Sequence, residues 1–352
     1  MFLVILVKQL NGSSNQVRTQ LPPNHFIKCH TLSHMRVFIR YNEGMKNTHL
    51  EHPEDMILTG DLSVLDWFTG GGHVSLKYDG APAVVWGNHP KTHRFFVGTK
   101  SVFNKVKIKI NYSHSDIDSN HTGEVAKILH ACLDNIPHHL GYMVFQGDFI
   151  GFGGSDEYKP NTLTYKFPEV VEQKIIIAPH TQYITTQCTD NLANAVAHPM
   201  KSFPYYYNWE KMDDCLFVGT KVREREDDPI SNLKKSIDFI RHMAGGIQFV
   251  DQKTANELKK QINKDYREGR EVDPKNYGIH GRLINYWKLV QETKADVMSR
   301  LTHSDPVQAY LGYDKHIGEG FVMTNKFGMY KLVYRHIFSY ANFNSGRFVP
   351  VG

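Results

Sequence analysis

The sequence predicts an α+β fold, with antiparallel sheets flanked by helices and a helical segment inserted between two parts of the sheet core. Three patterns carry this expectation. Strand-like runs fill residues 73–104 and return at 141–150 and 174–178. Residues 231–301 instead repeat apolar side chains at helical spacing. Strands then resume at 320–324 and 328–335, and the short turn 325–327 makes them a hairpin.

Residues 1–44 show no helical period and contain a polar stretch at 11–15 and Pro22-Pro23. They are expected to be an N-terminal extension. Residues 1–7 are apolar but short, with no basic run before them, so they suit a strand better than a signal peptide. Met35 and Met45 are alternative starts. Residues 48–68 look partly helical, with Asp61 as an N-cap ahead of Leu62, Leu65 and Trp67, and the glycines 70–72 end the run. Val125, Ile128, Leu129 and Leu133 share one side of a helix over 124–133. In the long helical stretch, Leu233, Ile237 and Ile240 form one apolar stripe and Leu258 and Ile262 a second. Leu283, Trp287, Val290, Val297 and Leu301 form a third. Three helices follow, separated at Gly245-Gly246 and at 271–281. The organisation is therefore an extension (1–44), a core in two parts (45–190 and 305–352), and a helical basic insertion (191–304).

Composition narrows the class. Apolar residues make up 41% and charged residues 22% of the 352, as in an ordinary globular chain. Cys29, Cys132, Cys188 and Cys215 form no CxxC pair, which points to a reducing compartment. No apolar run reaches the ~18–20 residues of a membrane span, and a cytoplasmic monomer is expected. His25, Cys29, His30 and His34 cluster, but their spacing matches no standard zinc site. No Walker A, HExxH or GxSxG sequence occurs. FVGTK occurs twice, at 96–100 and 217–221, without wider similarity. Residues 231–303 carry 14 Lys/Arg against 9 Asp/Glu, an excess equal to the whole chain's formal charge of +5. That segment could track phosphates; solvated helix faces are the plain alternative.

The candidate chemistry begins at Lys77-Tyr78-Asp79-Gly80. Along a strand alternate residues share a face, so Val74, Leu76 and Tyr78 turn to the core while Ser75, Lys77 and Asp79 turn away from it. A lysine and an acid on one face, followed by a glycine that admits close backbone approach, suit a phosphate site. Downstream, Gly147-Asp148 puts an acid at a strand end, and Glu319-Gly320-Phe321-Val322 and Lys331 occupy the hairpin. Pairing Phe321 with Lys331 would set Glu319 and Lys331 on one face, a diagonal apart.

In order and spacing these elements resemble the covalent nucleotidyltransferase superfamily of ATP-dependent DNA and RNA ligases and mRNA capping enzymes. Lys77–Gly80 looks like its nucleophile motif, Gly147-Asp148 its third, residues 319–322 its fourth and Lys331 its fifth. The longer string KYDGAPAVVWG…FFVGTKSVFNK, with HLEHPED before it and PNTLTY after, resembles ligase-like proteins of large tailed phages. The resemblance implies a nucleotidyltransferase (ligase adenylation-domain) fold and an ATP-dependent polynucleotide ligase working through a covalent lysyl-AMP. Lys77 would take AMP from ATP, and Lys331 would stabilise charge on the α-phosphate. Glu319 would hold Mg²⁺, and Asp148 the ribose or a second metal. Asp79, Gly80, Thr99 and Lys100 would contact the nucleotide. RNA or DNA ends or nicks would be the partner, in the host cytoplasm if the gene is a phage's.

The chain departs from the family pattern in places. Pro82 stands where many ligases carry Arg or Asn, Val333 where a second lysine is common, and Asp148 for the commoner Glu. No OB domain is expected after Lys331, and the insertion is the expected substitute as a nucleic-acid clamp. Transfer to another acceptor, capping-type or protein-modifying, remains open at this point. So does a non-catalytic nucleic-acid-binding phage protein that keeps the fold.

Overall fold

The computed structural model describes residues 50–138, 143–184, 192–200, 214–303 and 306–344. The extension 1–44, with its His/Cys cluster, and Cys188 lie outside the described residues. The first part of the chain runs α1 (Pro53–Met56), α2 (Ser63–Thr69), β1 (His73–Lys77), β2 (Ala83–Asn88), β3 (Phe95–Gly98), α3 (His114–Asn120) and α4 (Gly123–Asn135). There follow β4 (Val144–Phe152), β5 (Glu157–Tyr158), β6 (Thr164–Lys166), β7 (Ile175–Ile184), β8 (Val196–Pro199), β9 (Cys215–Phe217) and β10 (Val222–Glu224). Then come α5 (Lys234–Met243), α6 (Gln252–Arg267), α7 (Gly281–Ser299), β11 (Leu301–His303), β12 (Gln308–Leu311) and β13 (Asp314–His316). The chain closes with β14 (Gly320–Asn325), β15 (Gly328–Val333) and α8 (Arg335–Asn344).

This is an α+β protein whose sheets are antiparallel apart from the β7–β9 pair. The largest sheet has six strands, in the order β3-β2-β4-β7-β8 with β9 beside β7. One face of it is covered by α4, whose Ile128, Leu129 and Cys132 pack on Val84, Trp86, Phe145 and Ile177. A second sheet orders its strands β1-β14-β15. Its inner face, Leu76, Phe321 and Leu332, packs into the principal core with Tyr286 and Val290 of α7. The N-cap position of α2 is Leu62, one residue later than expected, while Asp61 Oδ1 just before it accepts from the Ser63 amide at 3.1 Å and the Ser63 hydroxyl at 2.6 Å.

The helical stretch forms the three predicted helices. Asp251 caps α6, accepting from the Thr254 amide at 2.8 Å, and Ala255, Leu258, Ile262 and Tyr266 pack inward against Leu283, Ile284 and Trp287 of α7. The helices begin only near residue 230, however. Residues 196–199 and 215–217 run as strands of the largest sheet, because Ala197 and Cys215 have core positions to fill there. Cys132 and Cys215 are buried free thiols, each held protonated by burial. Among the described residues no helix is long and apolar enough to cross a membrane.

Candidate functional site: a lysine–carboxylate cleft between two sheets

Lys77 is the last residue of β1, where the alternation HVSLK puts Leu76 in the core and Lys77 on the opposite face. The β1–β14 register pairs Lys77 with Gly320 and Ser75 with Val322. The hairpin register differs from the one expected from sequence: Val322, not Phe321, pairs with Lys331. This register keeps Phe321 and Leu332 paired and together in the core. Lys331 therefore shares the outer face with Ser75 and Lys77. Gly320 is needed where β14 starts, since a Cβ there would lie 2.0 Å from the Leu332 carbonyl. This close approach brings Glu319 to Lys77. The Glu319 amide donates to the Lys77 carbonyl at 3.1 Å, and the Lys77 ammonium is ion-paired with the Glu319 carboxylate.

The largest sheet supplies the opposite wall. Asp148 lies in the middle of β4, paired with Ala83 and Ala178, rather than at a strand end as expected. Between Gln146 and Gly147 the β4–β7 register slips by one residue, leaving His180 as the extra residue of β7. Bulges of this kind re-aim side chains. Here His180 Nε2 lies 3.7 Å from Asp148 Oδ1, and its Nδ1 meets the Thr181 hydroxyl at 2.7 Å. Lys77, Lys331, Glu319, Asp148 and Lys100 all line one cleft of about 450 Å³. That volume suits a nucleotide-sized ligand.

The electrostatics follow from crowding in a desolvated site. Burial pushes the Lys77 ammonium down, but Glu319, Asp148 and Asp79 outweigh it and hold the amine above the ordinary lysine value. Burial, reinforced by Asp79 and Asp148, raises the Glu319 carboxyl despite Lys77. Lys331 goes the other way: burial lowers it, Lys77 and Arg335 add to the lowering, and Glu319 and Glu51 oppose it. The nucleophile candidate is therefore the protonated amine of the pair in this state, and Lys331 is the more easily deprotonated.

Three predicted residues do not line the cleft. The Asp79 carboxylate accepts from Asn161 Nδ2 at 2.8 Å and from the Thr162 and Leu163 amides at 2.8 and 3.1 Å, so it fastens the loop after β5. Its own amide donates to the buried Tyr165 hydroxyl at 2.5 Å. Gly80 lies against β4, and a Cβ there would come 2.6 Å from Asp148 Cβ. Thr99 caps the 3₁₀ turn Lys100–Phe103 through Ser101.

The HLEHPED string takes a structural place that the motif alone did not disclose. Pro53 starts α1, and the two acids after it turn inward. Glu54 is ion-paired with Lys294 of α7 at 2.6 Å, both fully buried. Asp55 accepts from Arg335 at 2.8 Å and from the Trp287 indole at 3.0 Å. Burial lowers the Lys294 ammonium, with Glu54 opposing. The Glu51 carbonyl accepts from the Lys331 amide at 3.2 Å, and the Glu51 carboxylate meets Lys259 of α6 at 3.5 Å. Segment 51–55 thus clamps β15 to α6, α7 and α8. Only the adjacent pair of acids after a proline could have signalled it.

Among the described residues no three His, Cys, Asp or Glu side chains converge as a metal-holding group. Glu319 and Asp148 are nonetheless hard oxygen donors facing one cleft. That donor set fits Mg²⁺, which commonly takes one or two carboxylates and completes its shell with water and substrate phosphates.

Fold and site together define an α+β protein with a paired-lysine, paired-carboxylate cleft between two sheets. Residues 47–280 and 217–347 match a protein family described as a family of unknown function (DUF6267), and the chain belongs to that family. No curated protein and no solved structure matches it.

Proposed function

We propose that this chain is a covalent nucleotidyltransferase of the nucleotidyltransferase fold. In its specific form it is an ATP- and Mg²⁺-dependent polynucleotide ligase that carries AMP on Lys77. One observation supports this above the others. Residues 77, 100, 148, 319 and 331, distant in sequence, converge on one nucleotide-sized cleft. Their types match the step: an amine to attack phosphorus, cations beside the phosphoryl group, and carboxylates for a hard cation. Bound Mg²⁺ would neutralise charge on the triphosphate, held by Glu319 and Asp148. In the transfer, the neutral Lys77 amine forms a P–N bond to the α-phosphorus as the bond to the pyrophosphate oxygen breaks, and pyrophosphate leaves. The amine must first lose the proton that Glu319 stabilises. Lys331 and Lys100 face the same space and would counter the charge that develops.

The test is direct. The pure chain is incubated with α-labelled ATP, or α-labelled GTP in parallel, and Mg²⁺, then denatured. Label should stay on the wild-type chain and vanish from Lys77→Ala and from Lys77→Arg, whose guanidinium does not deprotonate. Undiminished label on Lys77→Ala would refute the assignment.

A further inference from the structure

A second concavity, of about 550 Å³, lies between α6 and α8 and is lined by Lys260, Asn263, Arg267, Ser339, Asn342 and Phe343. Positions 260, 263 and 267 recur at helical spacing, as do 339, 342 and 343, so each helix turns one face to the groove, polar on α6 and mixed polar and aromatic on α8. The opposite face of α6 is the apolar stripe already described. Among the described residues no carboxylate lines the groove, although solvated helix faces ordinarily mix both signs of charge.

The hydrogen bonds behind the lining decide which atoms the groove presents. Asn263 Oδ1 accepts from Arg335 Nε at 3.0 Å and Nη2 at 2.7 Å, which fixes its amide with the NH₂ end away from the guanidinium. Asn342 Oδ1 accepts from the Thr162 hydroxyl. Both acceptor oxygens are thus engaged from behind. Arg267 uses Nε on the Asn263 carbonyl at 3.2 Å, which leaves its terminal nitrogens for the groove, and Lys260 adds a second exposed cation. Phe343 is 48% exposed and lies 5.7 Å from the Arg267 guanidinium, and Tyr340, 43% exposed, stands one residue short of that face. From Lys260 to Arg267, seven residue steps or about 10 Å of helix, α6 carries the basic side. Lys259 on the same helix meets Glu51 at the rim of the catalytic cleft.

We propose that the α6/α8 groove binds a single polynucleotide strand and delivers it toward that cleft. Lys260 and Arg267 would hold phosphates, the Asn263 amide would donate to a phosphate oxygen, and Phe343 would offer its ring to a base. A groove lined by two cations and an amide donor beside exposed rings is the arrangement that sequence-tolerant single-strand binding needs. The proposal rests on the polynucleotide ligase function above for its delivery step, while strand binding stands by itself. It also narrows the clamp expected of the insertion to one face of α6 joined by α8, without the α5 lysines.

The full chain is titrated into a fluorescent 20-nucleotide single strand at several KCl concentrations, with inorganic polyphosphate and polyglutamate as competitors. Lys260→Gln/Arg267→Gln should flatten the slope of log affinity on log salt by about 1.4, two phosphates at ~0.7 each. Phe343→Ala should weaken the oligonucleotide by about fivefold or more and leave polyphosphate binding unchanged. Unaltered affinity and slope in the double variant would overturn the proposal. So would equal competition by polyglutamate, or a Phe343→Ala variant that binds the oligonucleotide as tightly as wild type. Lys77 labelling is followed in the same samples. Lost strand binding with retained label assigns the groove alone. Lost strand binding in the variants when even wild type takes no label supports the groove while refuting nucleotide transfer.

Discussion

Replacing Glu319 by Gln tests the electrostatic core of the cleft without removing its shape. In the folded chain Lys77 sits above the ordinary lysine value of 10.5, because Glu319, Asp148 and Asp79 together outweigh burial. Glutamine keeps the volume of Glu319 and deletes the strongest of the upward influences, so burial gains ground. An opposite charge at ion-pair distance is worth about one to three powers of ten in protonation. The neutral Lys77 amine should therefore be about 10 to 1000 times more abundant in Glu319→Gln at any pH below the lysine range. The assay is acylation by an amine-selective reagent across pH, with Lys77 quantified by peptide mass spectrometry against exposed Lys235 of α5. The Lys77 profile should move to lower pH while Lys235 stays fixed. Linkage gives the matching stability effect. A raised folded value favours folding below pH 10.5, and that contribution is lost as pH climbs through the raised value. Wild type should therefore lose stability in the alkaline range more steeply than the variant. Identical Lys77 profiles in the two proteins would refute the argument that Glu319 holds the proton.

Other perturbations separate chemistry from framework. Lys331→Ala should slow Lys77 labelling by about two to three powers of ten in single-turnover assays, if its cation acts on the transferring phosphoryl group, and leave the urea midpoint near wild type. Lys294→Met strands the fully buried Glu54 carboxylate and should cost about 3–5 kcal/mol in urea melts, with Glu54→Gln/Lys294→Met recovering much of the loss. Gly80→Ala forces a Cβ toward Asp148 and should cost about 1–3 kcal/mol, and melting at the wild-type midpoint would show that the approach to β4 is not tight.

The parts of this fold visible in sequence are those with a local period. The apolar stripes of α4, α6 and α7 and the alternation of β1 each repeat within one element, so their inward faces were readable without a partner. The hairpin's existence was equally local, but its register was not. One residue of slip turns on how Phe321 and Leu332 fit a core assembled from distant helices. Three features of the cleft were non-local in the same way. His180 reaches Asp148 because of a bulge that no propensity announces. Asp148 occupies mid-strand because β2 and β7 flank it. Asp79, which the nucleophile motif suggested for ligand contact, is consumed by amides of residues 162 and 163. The acids Glu54 and Asp55 illustrate the limit from another side, since exposed acids at a helix start are ordinary and only Lys294 and Arg335 make them interior.

The pairing of β1 has a consequence for the chain as it is being made. Lys77 lies on a strand whose ladder partner begins at Gly320 and whose other edge, among the described residues, pairs only at residues 220–221. At about 5–20 residues per second, roughly 10 to 50 seconds of synthesis separate the emergence of Lys77 from that of β14. Through that interval the strand has an open edge and the lysine has neither Glu319 nor Lys331 beside it. A nascent chain therefore cannot assemble this lysine's environment early. Premature release at any point before β14 leaves β1 without its ladder partner, an open strand edge exposed to chaperones and proteases.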